Sequence, residues 1–257
     1  MMDCVLIAGG IPQPDDSLYP FAQGKPKTLI DISGKPMAQW VVDALTEAPD
    51  VGEIIVVGLP PEADLVSPKI AHYHSDQGSL LNNGLAGIEW LLNRDPGARE
   101  VLLSCADIPL LRPEMVTWLI EQHQKRPTDL NYTVISRLAM EATFPTSDRT
   151  YARFADMDVS GGDIHVADPH IFRSHQDLWQ KLAVSRKETL KAALRLGPGI
   201  FLKFFLHRLS TAELEVQVQQ KLDIWVRVLS APYPELGMDV DKPHQLEICR
   251  RVLTGAA

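Results

Sequence analysis

The stretch VLIAGGIPQPDDSLYPFAQGKPKTLIDISGKPM, Val5 to Met37, decides how the rest of the chain is read. A short apolar run ends in Ala8-Gly9-Gly10, the form of a strand feeding a phosphate-binding turn. No helical pattern follows at once. A run of Pro, Asp and Ser intervenes, Lys27–Ile32 then reads as extended, and Pro36 opens an amphipathic helix to about Glu47, proline being favoured in a first helical turn. The spacing G-x-G-x-x-G is absent, so Gly9-Gly10 taken alone is equally well a tight turn.

Reading outward, Glu53–Gly58 is a continuous apolar run of the kind buried on both faces of a parallel sheet. Ser79–Leu92 places Leu80, Leu81, Leu85, Ile88, Leu91 and Leu92 near a 3.6-residue period and predicts a helix. Val101–Cys105 reads as a strand, Glu114–Lys125 as a helix and Asn131–Ser136 as a strand. This alternation over residues 1–135 predicts an α/β fold with a mainly parallel central sheet flanked by helices. After it the pattern changes. Tyr151–Val166 reads as a hairpin or irregular ribbon about Gly161-Gly162-Asp163. Asp177–Leu196, Gly199–Arg208 and Ser210–Leu222 read as helices, the last with Ser210 and Glu213 spaced as a capping box. Trp225–Leu229 is a strand and His244–Leu253 a closing helix. There is no repeat and no linker, so a single domain over 1–257 is expected. Its 1–135 half would bind nucleotide, and 136–257 would supply acceptor-binding and closing elements.

Composition narrows the function. The chain has 257 residues and is 45% hydrophobic, enough for a full core. A formal net charge of -8 argues against a general nucleic-acid binder. It permits a small anionic ligand held by a few local cations. Cys4, Cys105 and Cys249 are three, far apart and in apolar runs, and read as buried thiols in a reducing compartment. The first residues include an Asp and too short an apolar run for a signal peptide. No stretch approaches the ~18 apolar residues of a membrane span. A cytoplasmic protein without integral membrane association is expected. The eight His and the Cys show no metal-ligand spacing, and no G-x-S-x-G is present.

Ligands of parallel sheets sit beyond the carboxyl ends of the strands. Three strand ends are informative: Ala8-Gly9-Gly10, then Asp107 in SCADIPLL, then Asp239 and Asp241 in MDVDKP after the last strand. If those strands are neighbours, bare glycine backbone and two or three carboxylates converge. Carboxylates beside phosphate repel it unless a cation intervenes, and Mg²⁺ suits oxygen donors of this kind. Lys27 could neutralise phosphate charge. These are parts of a phosphoryl- or nucleotidyl-transfer site. Each also has a plainer reading: Asp107 as a turn residue, Asp241 as an N-cap before Pro243, Lys27 as a solvated surface charge. The ordered set at successive strand ends favours the site.

The segments LIAGG, KTLIDISGKPM, CADIPLL and DVDKPHQLE together resemble the MobA-like nucleotidyltransferases, a family of GT-A-like, Rossmann-type enzymes that includes molybdenum cofactor guanylyltransferase and sugar-nucleotide pyrophosphorylases. The resemblance implies transfer of NMP from an NTP to a small phosphorylated acceptor, a sugar phosphate or cofactor precursor, with Mg²⁺ and release of pyrophosphate. It implies that Ala8, Gly9, Gly10 and Lys27 hold phosphates, and that Ser79–Leu85, with Ser79, Asn83 and Gly84, helps hold the base. Asp107 and Asp241 would bind the metal, with Asp239 a nearby candidate. The chain departs from the family pattern after Gly10: the G-x-R-M segment is missing, and Thr28 replaces a usual proline. Lys25 is the candidate replacement for the lost arginine, though it offers a point charge and not a bidentate fork. Tyr151–Val166 resembles the variable acceptor-binding part, making Arg149, Tyr151, Arg153, Gly161, Gly162 and Asp163 acceptor-site candidates, against solvation of the arginines and a plain hairpin turn at the glycines.

Two rivals remain in the sequence. A GT-A glycosyltransferase usually shows D-x-D where this chain has Cys105-Ala106-Asp107. A non-catalytic nucleotide-binding regulator would tolerate the missing arginine. The basic cluster Arg186, Lys187, Lys191, Arg195, Lys203, His207 and Arg208 is either a solvated helix face or a site for an anionic acceptor or partner. The apolar segment GIFLKFFLHRL reads first as a core helix, with a membrane-surface or homodimer contact as the alternative.

Overall fold

The apolar alternation of the N-terminal strand sorts the core into two layers. The computed structural model describes residues 1–179 and 198–255. In it β1 (Met2–Ile7) lies between β4 (Val51–Val57) and β6 (Val101–Cys105), parallel to both, and β4 pairs in parallel with β5 (Ile70–His74). Cys4 and Leu6 face one side of the sheet. There they pack with α2 (Met37–Glu47), α4 (Pro113–Lys125) and α9 (Pro243–Thr254). Val5 faces the other side and packs with α3 (Leu80–Arg94) and α6 (His170–Ser174). Burying a side chain such as Ile88 or Leu91 of α3 contributes roughly 1.5–3 kcal/mol, so the layering is set by apolar burial on both faces.

The second half of the sheet is mixed. β7 (Leu130–Ser136) runs parallel to β11 (Val226–Ser230) on one side. On its other side it pairs antiparallel with β10 (Ile164–Ala167) and β9 (Asp158–Gly161), and β10 continues antiparallel to β6. The short β8 (Ala152–Arg153) closes a hairpin with β9. Two further helices, α7 (Pro198–Phe205) and α8 (Thr211–Leu222), lie between β10 and β11 in the chain. The expected helix-flanked sheet of mainly parallel character is therefore present, with an antiparallel ribbon set into it. Among the described residues no helix is long and apolar enough to cross a membrane.

Several local expectations are revised. Gly161-Gly162-Asp163 is not a hairpin turn. β9 and β10 both pair with β7 and not with each other, so the glycines mark a break in one ribbon, where Gly162 N donates to Thr133 O at 2.9 Å and Asp163 N to Leu236 O at 2.8 Å. Lys27–Leu29 is a 3₁₀ turn and not extended, and only β2 (Asp31–Ile32) is, pairing with β3 (Lys35–Pro36). The turn is fixed by the Thr28 hydroxyl, which donates to Ala8 O at 2.7 Å. Pro36 sits just before helix α2, in an extended conformation that pairs with Asp31. β5 and the short α5 (Arg137–Thr143) were not expected. Cys105 is half-buried, while Cys4 and Cys249 are buried, and all three are free thiols. Leu202, Phe205 and Leu206, at α7 and its end, are exposed, so that segment does not form the core helix expected of it. The predicted helix Asp177–Leu196 lies largely outside the described residues, as do Arg186, Lys187, Lys191 and Arg195.

Helix α3 can approach β1 closely because Gly84 and Gly87 face it. A Cβ on Gly87 would run into Val5 Cγ1 and come 3.0 Å from Val57 Cγ2, both stiff β-branched side chains of central strands. Gly87→Ala gains about 1 kcal/mol of helix propensity but overpacks the layer at a cost of about 1–3 kcal/mol. The substitution is expected to lower stability by up to about 2 kcal/mol, as the difference of those terms, read as a lower urea midpoint at unchanged m.

Candidate active site

Four backbone hydrogen bonds bring the informative strand ends together. Ala106 N donates to Ile7 O at 2.9 Å, which levels the end of β6 with the end of β1. Val240 N donates to Asp107 O at 2.9 Å and carries the segment after β11 to the same place. Cys105 N donates to Asp163 O at 2.8 Å, and Lys27 N to Gly10 O at 3.0 Å. The predicted convergence of Gly9-Gly10, Asp107, Asp239 and Asp241 is thus met, and Lys27, Arg149 and Asp163 join it.

Lys27 Nζ lies 2.8 Å from Asp107 Oδ2 and also contacts Asp241 Oδ1. Arg149 pairs with Asp239, and its Nη2 lies 4.0 Å from Asp163 Oδ2. Four carboxyl groups therefore face two cations, so acidic groups are in excess within the cluster. Asp107, Asp239 and Asp241 present oxygens that all lie within 4.8 Å of one another, and Asp107 Oδ1 is buried without a hydrogen-bond partner. Clustered carboxylate oxygens with one unsatisfied buried atom fit a hard divalent cation.

The titration of the cluster follows its charge. Burial opposes the Lys27 ammonium, but Asp107 and then Asp241 outweigh it, and its pKa stands above the ordinary lysine range. Burial, then the neighbouring Asp107, pushes the Asp163 carboxyl up to about 7 against the pull of Arg149. Burial and then Asp107 raise the Cys105 thiol well above its usual range, so it is inert as a nucleophile.

Beside the cluster a cavity of about 250 Å³ is lined by Gly9, Gly10, Lys27, Asp76, Ser79, Asn83 and Asp107, among others. Gly10 has φ +102°, a conformation that favours glycine. The Gly9 and Gly10 amides donate to no acceptor among the described residues, so both are available to an anion. A second, outer cavity of about 340 Å³ opens between Gly10–Pro12, Asp16–Leu18, Lys27 and Asp241. The proline-rich insert forms its wall through a turn in which Gln13 N donates to Asp16 Oδ2 at 2.6 Å, followed by α1 (Tyr19–Ala22).

The other candidates separate. Ser79 caps α3, its hydroxyl accepting from Asn82 N at 3.2 Å. Asn83 is buried and shapes the cavity wall, accepting from Gln77 N at 2.6 Å and donating to Asp76 Oδ1 at 2.8 Å. Gly84 lies against Ile7 and lines a neighbouring cavity, not the one holding Gly9 and Gly10. Lys25 is exposed and lines neither cavity. Tyr151 sits against Arg137 and Arg153 is exposed, so only Arg149 and Asp163 of the acceptor candidates reach the carboxylates. Asp241 does not cap α9. Lys242 holds that position, and the buried Gln245 side chain accepts from Asp241 N and Lys242 N at 2.9 Å each while donating to Ser147 O at 3.0 Å. Asp76 and Gln245 were not singled out by sequence, and Thr28 only as a departure from the family's proline.

Comparison with known proteins places this geometry. The family model described as the MobA-like NTP transferase domain matches residues 21–195. A solved structure described as a hypothetical transferase from Thermus thermophilus is 32% identical, with a TM-score of 0.80 over 95% of this chain and 99% of that one. The molybdenum cofactor guanylyltransferase of Rhodopseudomonas palustris is 30% identical over 48% of this chain and 53% of its own length. The mannose-1-phosphate guanylyltransferase regulatory subunit alpha of Drosophila melanogaster is 26% identical over 53% of this chain. The chain spans about half of the bacterial protein and 33% of the fly protein.

The raised Asp163 carboxyl has a consequence for stability. Its folded pKa exceeds the ordinary 3.8. The stability linked to its proton is therefore complete below about pH 4 and lost as pH rises through about 7, at no more than about 1.4 kcal/mol per pH unit. In metal-free buffer the thermal midpoint is expected to fall between pH 5 and 8, and Asp163→Asn is expected to flatten that fall.

Proposed function

The chain belongs to the MobA-like NTP transferase family, and from that premise we propose that it is a magnesium-dependent nucleotidyltransferase that moves NMP from an NTP to a small phosphorylated acceptor and releases pyrophosphate. The observation that carries this reading is the single ammonium of Lys27 shared by Asp107 and Asp241 beside the Gly9 and Gly10 amides, which have no acceptor among the described residues.

An acceptor phosphate oxygen attacks the α-phosphorus. A new P–O bond forms, the bond from that phosphorus to the bridging oxygen breaks, and pyrophosphate leaves with the electron pair. A phosphate acceptor is already ionised at neutral pH, so no general base is required. Lys27 faces the triphosphate in place of its carboxylate partners, and the Gly9 and Gly10 amides donate to the phosphate oxygens. Asp107 and Asp241, with Asp239, would hold Mg²⁺, which when bound supplies neutralisation of phosphate charge. Arg149, held by Asp239 and close to Asp163, is placed to offer its planar fork to the acceptor phosphate. It comes from a different part of the chain than the arginine missing after Gly10.

Pyrophosphate release with each of the four NTPs and a panel of phosphorylated acceptors tests the reading. Lys27→Ala is expected to lower kcat by about 10²–10³-fold, the loss seen when one preorganised charge-stabilising donor is removed. Asp107→Ala and chelation of divalent cations are each expected to abolish release. Full activity of Asp107→Ala would overturn the metal assignment, and free nucleoside diphosphate as product would point to glycosyl transfer instead.

A further inference from the structure

The nucleotide cavity has a neighbour of different character. Helices α3 and α6 and strands β6, β7 and β10 enclose about 300 Å³. Its walls include Leu81, Leu85, Ile88, Leu103, Phe172 and Trp179, and among the described lining residues the only acidic or basic side chain beside the His165 imidazole is Asp163. The two cavities share Ile7, Leu80 and Cys105, so the apolar one opens beside the carboxylate cluster.

Tyr132 lies in this second cavity with one face occupied. Its ring stacks on that of His165, centroids 4.5 Å apart and planes 16° from parallel. Crowded by the walls, it is still 40% exposed, so its other face is open to a ligand. His165 is itself fixed, its Nδ1 accepting from Thr133 N at 3.1 Å, and burial holds the imidazole neutral, with its pKa down at about 4. The Ser104 hydroxyl is already used, donating to Cys105 O at 3.2 Å. A hexose entering here would find few polar partners among the described lining residues, chiefly Asp163, the Tyr132 hydroxyl and the His165 imidazole, and would exchange the water around its other hydroxyls for leucine and phenylalanine side chains, leaving polar groups unpaired. A flat apolar ring would lose nothing of that kind and would stack on the open face of Tyr132.

We propose that this cavity takes the body of the acceptor, and that the body is flat and apolar, so that the acceptor is a phosphate ester of an aromatic or other ring-bearing apolar alcohol and not a hexose phosphate. The position of its phosphate beside Arg149 rests on the nucleotidyl-transfer reading, whereas the preference of the cavity does not.

Binding of 1-naphthyl phosphate and of glucose 1-phosphate to the full chain, followed by calorimetry, tests this, with binding of the four NTPs measured in parallel. Naphthyl phosphate is expected to bind at least about tenfold more tightly than glucose 1-phosphate, the scale of one good aromatic contact plus apolar burial. Tyr132→Ala removes the stacking face. Leu81→Trp fills the cavity from a half-buried helix position that leaves the core untouched. Each is expected to cost about tenfold in naphthyl phosphate affinity with NTP affinity unchanged. Equal or tighter binding of glucose 1-phosphate, or naphthyl phosphate binding that neither variant weakens, overturns the inference. Naphthyl phosphate binding with the expected variant response, in a protein that binds no NTP, sustains the cavity assignment while removing the nucleotidyl-transfer reading.

Discussion

One ammonium group, Lys27 Nζ, lies between carboxylates contributed by the middle and the last part of the chain. Asp107 and Asp241 would repel each other at the distance the backbone imposes, and Lys27 joins them. The rest of the site is arranged around that contact. The Thr28 hydroxyl on Ala8 O holds the 3₁₀ turn that presents Lys27, and the Gln245 amide holds the backbone that presents Asp241. A partly buried ion pair of this kind contributes little net stability, because desolvation offsets its attraction. Its importance lies in placement: a cation stands where a divalent ion would otherwise have to neutralise the carboxylates from the start.

The parallel half of the fold was legible because its strands are buried on both faces and read as unbroken apolar runs, as in Val101–Cys105, which appears with the predicted bounds. Helix α3 was legible from its period, and its start from Ser79. Strand β5 was missed because Ile70–His74 lies at the sheet edge and carries two histidines, where neither apolar continuity nor alternation is required. Asp76, which follows it, was missed with it. Tyr151–Val166 reads as a hairpin or an irregular ribbon because two adjacent glycines signal a turn locally; the hairpin is β8–β9, before the glycines, and across them β9 and β10 form the irregular ribbon, both finding their partner in β7.

The site divides along the same line. Gly9, Gly10, Asp107 and Asp241 were visible because each follows a legible strand, and the rule that ligands sit at strand ends needs only the order of elements. Gln245 was invisible because a glutamine in the first turn of a helix signals capping, and only the fold shows that its amide also anchors Ser147. Lys25 was chosen as the spare cation by nearness in sequence. In space Arg149 stands at the cluster instead, carried there by the loop before β8. Nearness along the chain is a poor guide where a loop is free to turn its side chains to solvent.

In the proposed reaction Lys27 holds, through Asp107 and Asp241, the place a divalent cation would take, and gives it up for phosphate. Manganese binding to the nucleotide-free protein, followed by electron paramagnetic resonance in wild type and in Lys27→Met, tests it most directly. Removing the ammonium is expected to tighten Mn²⁺ binding while weakening binding of NTP. Mn²⁺ affinity that falls or stays the same in Lys27→Met would contradict it.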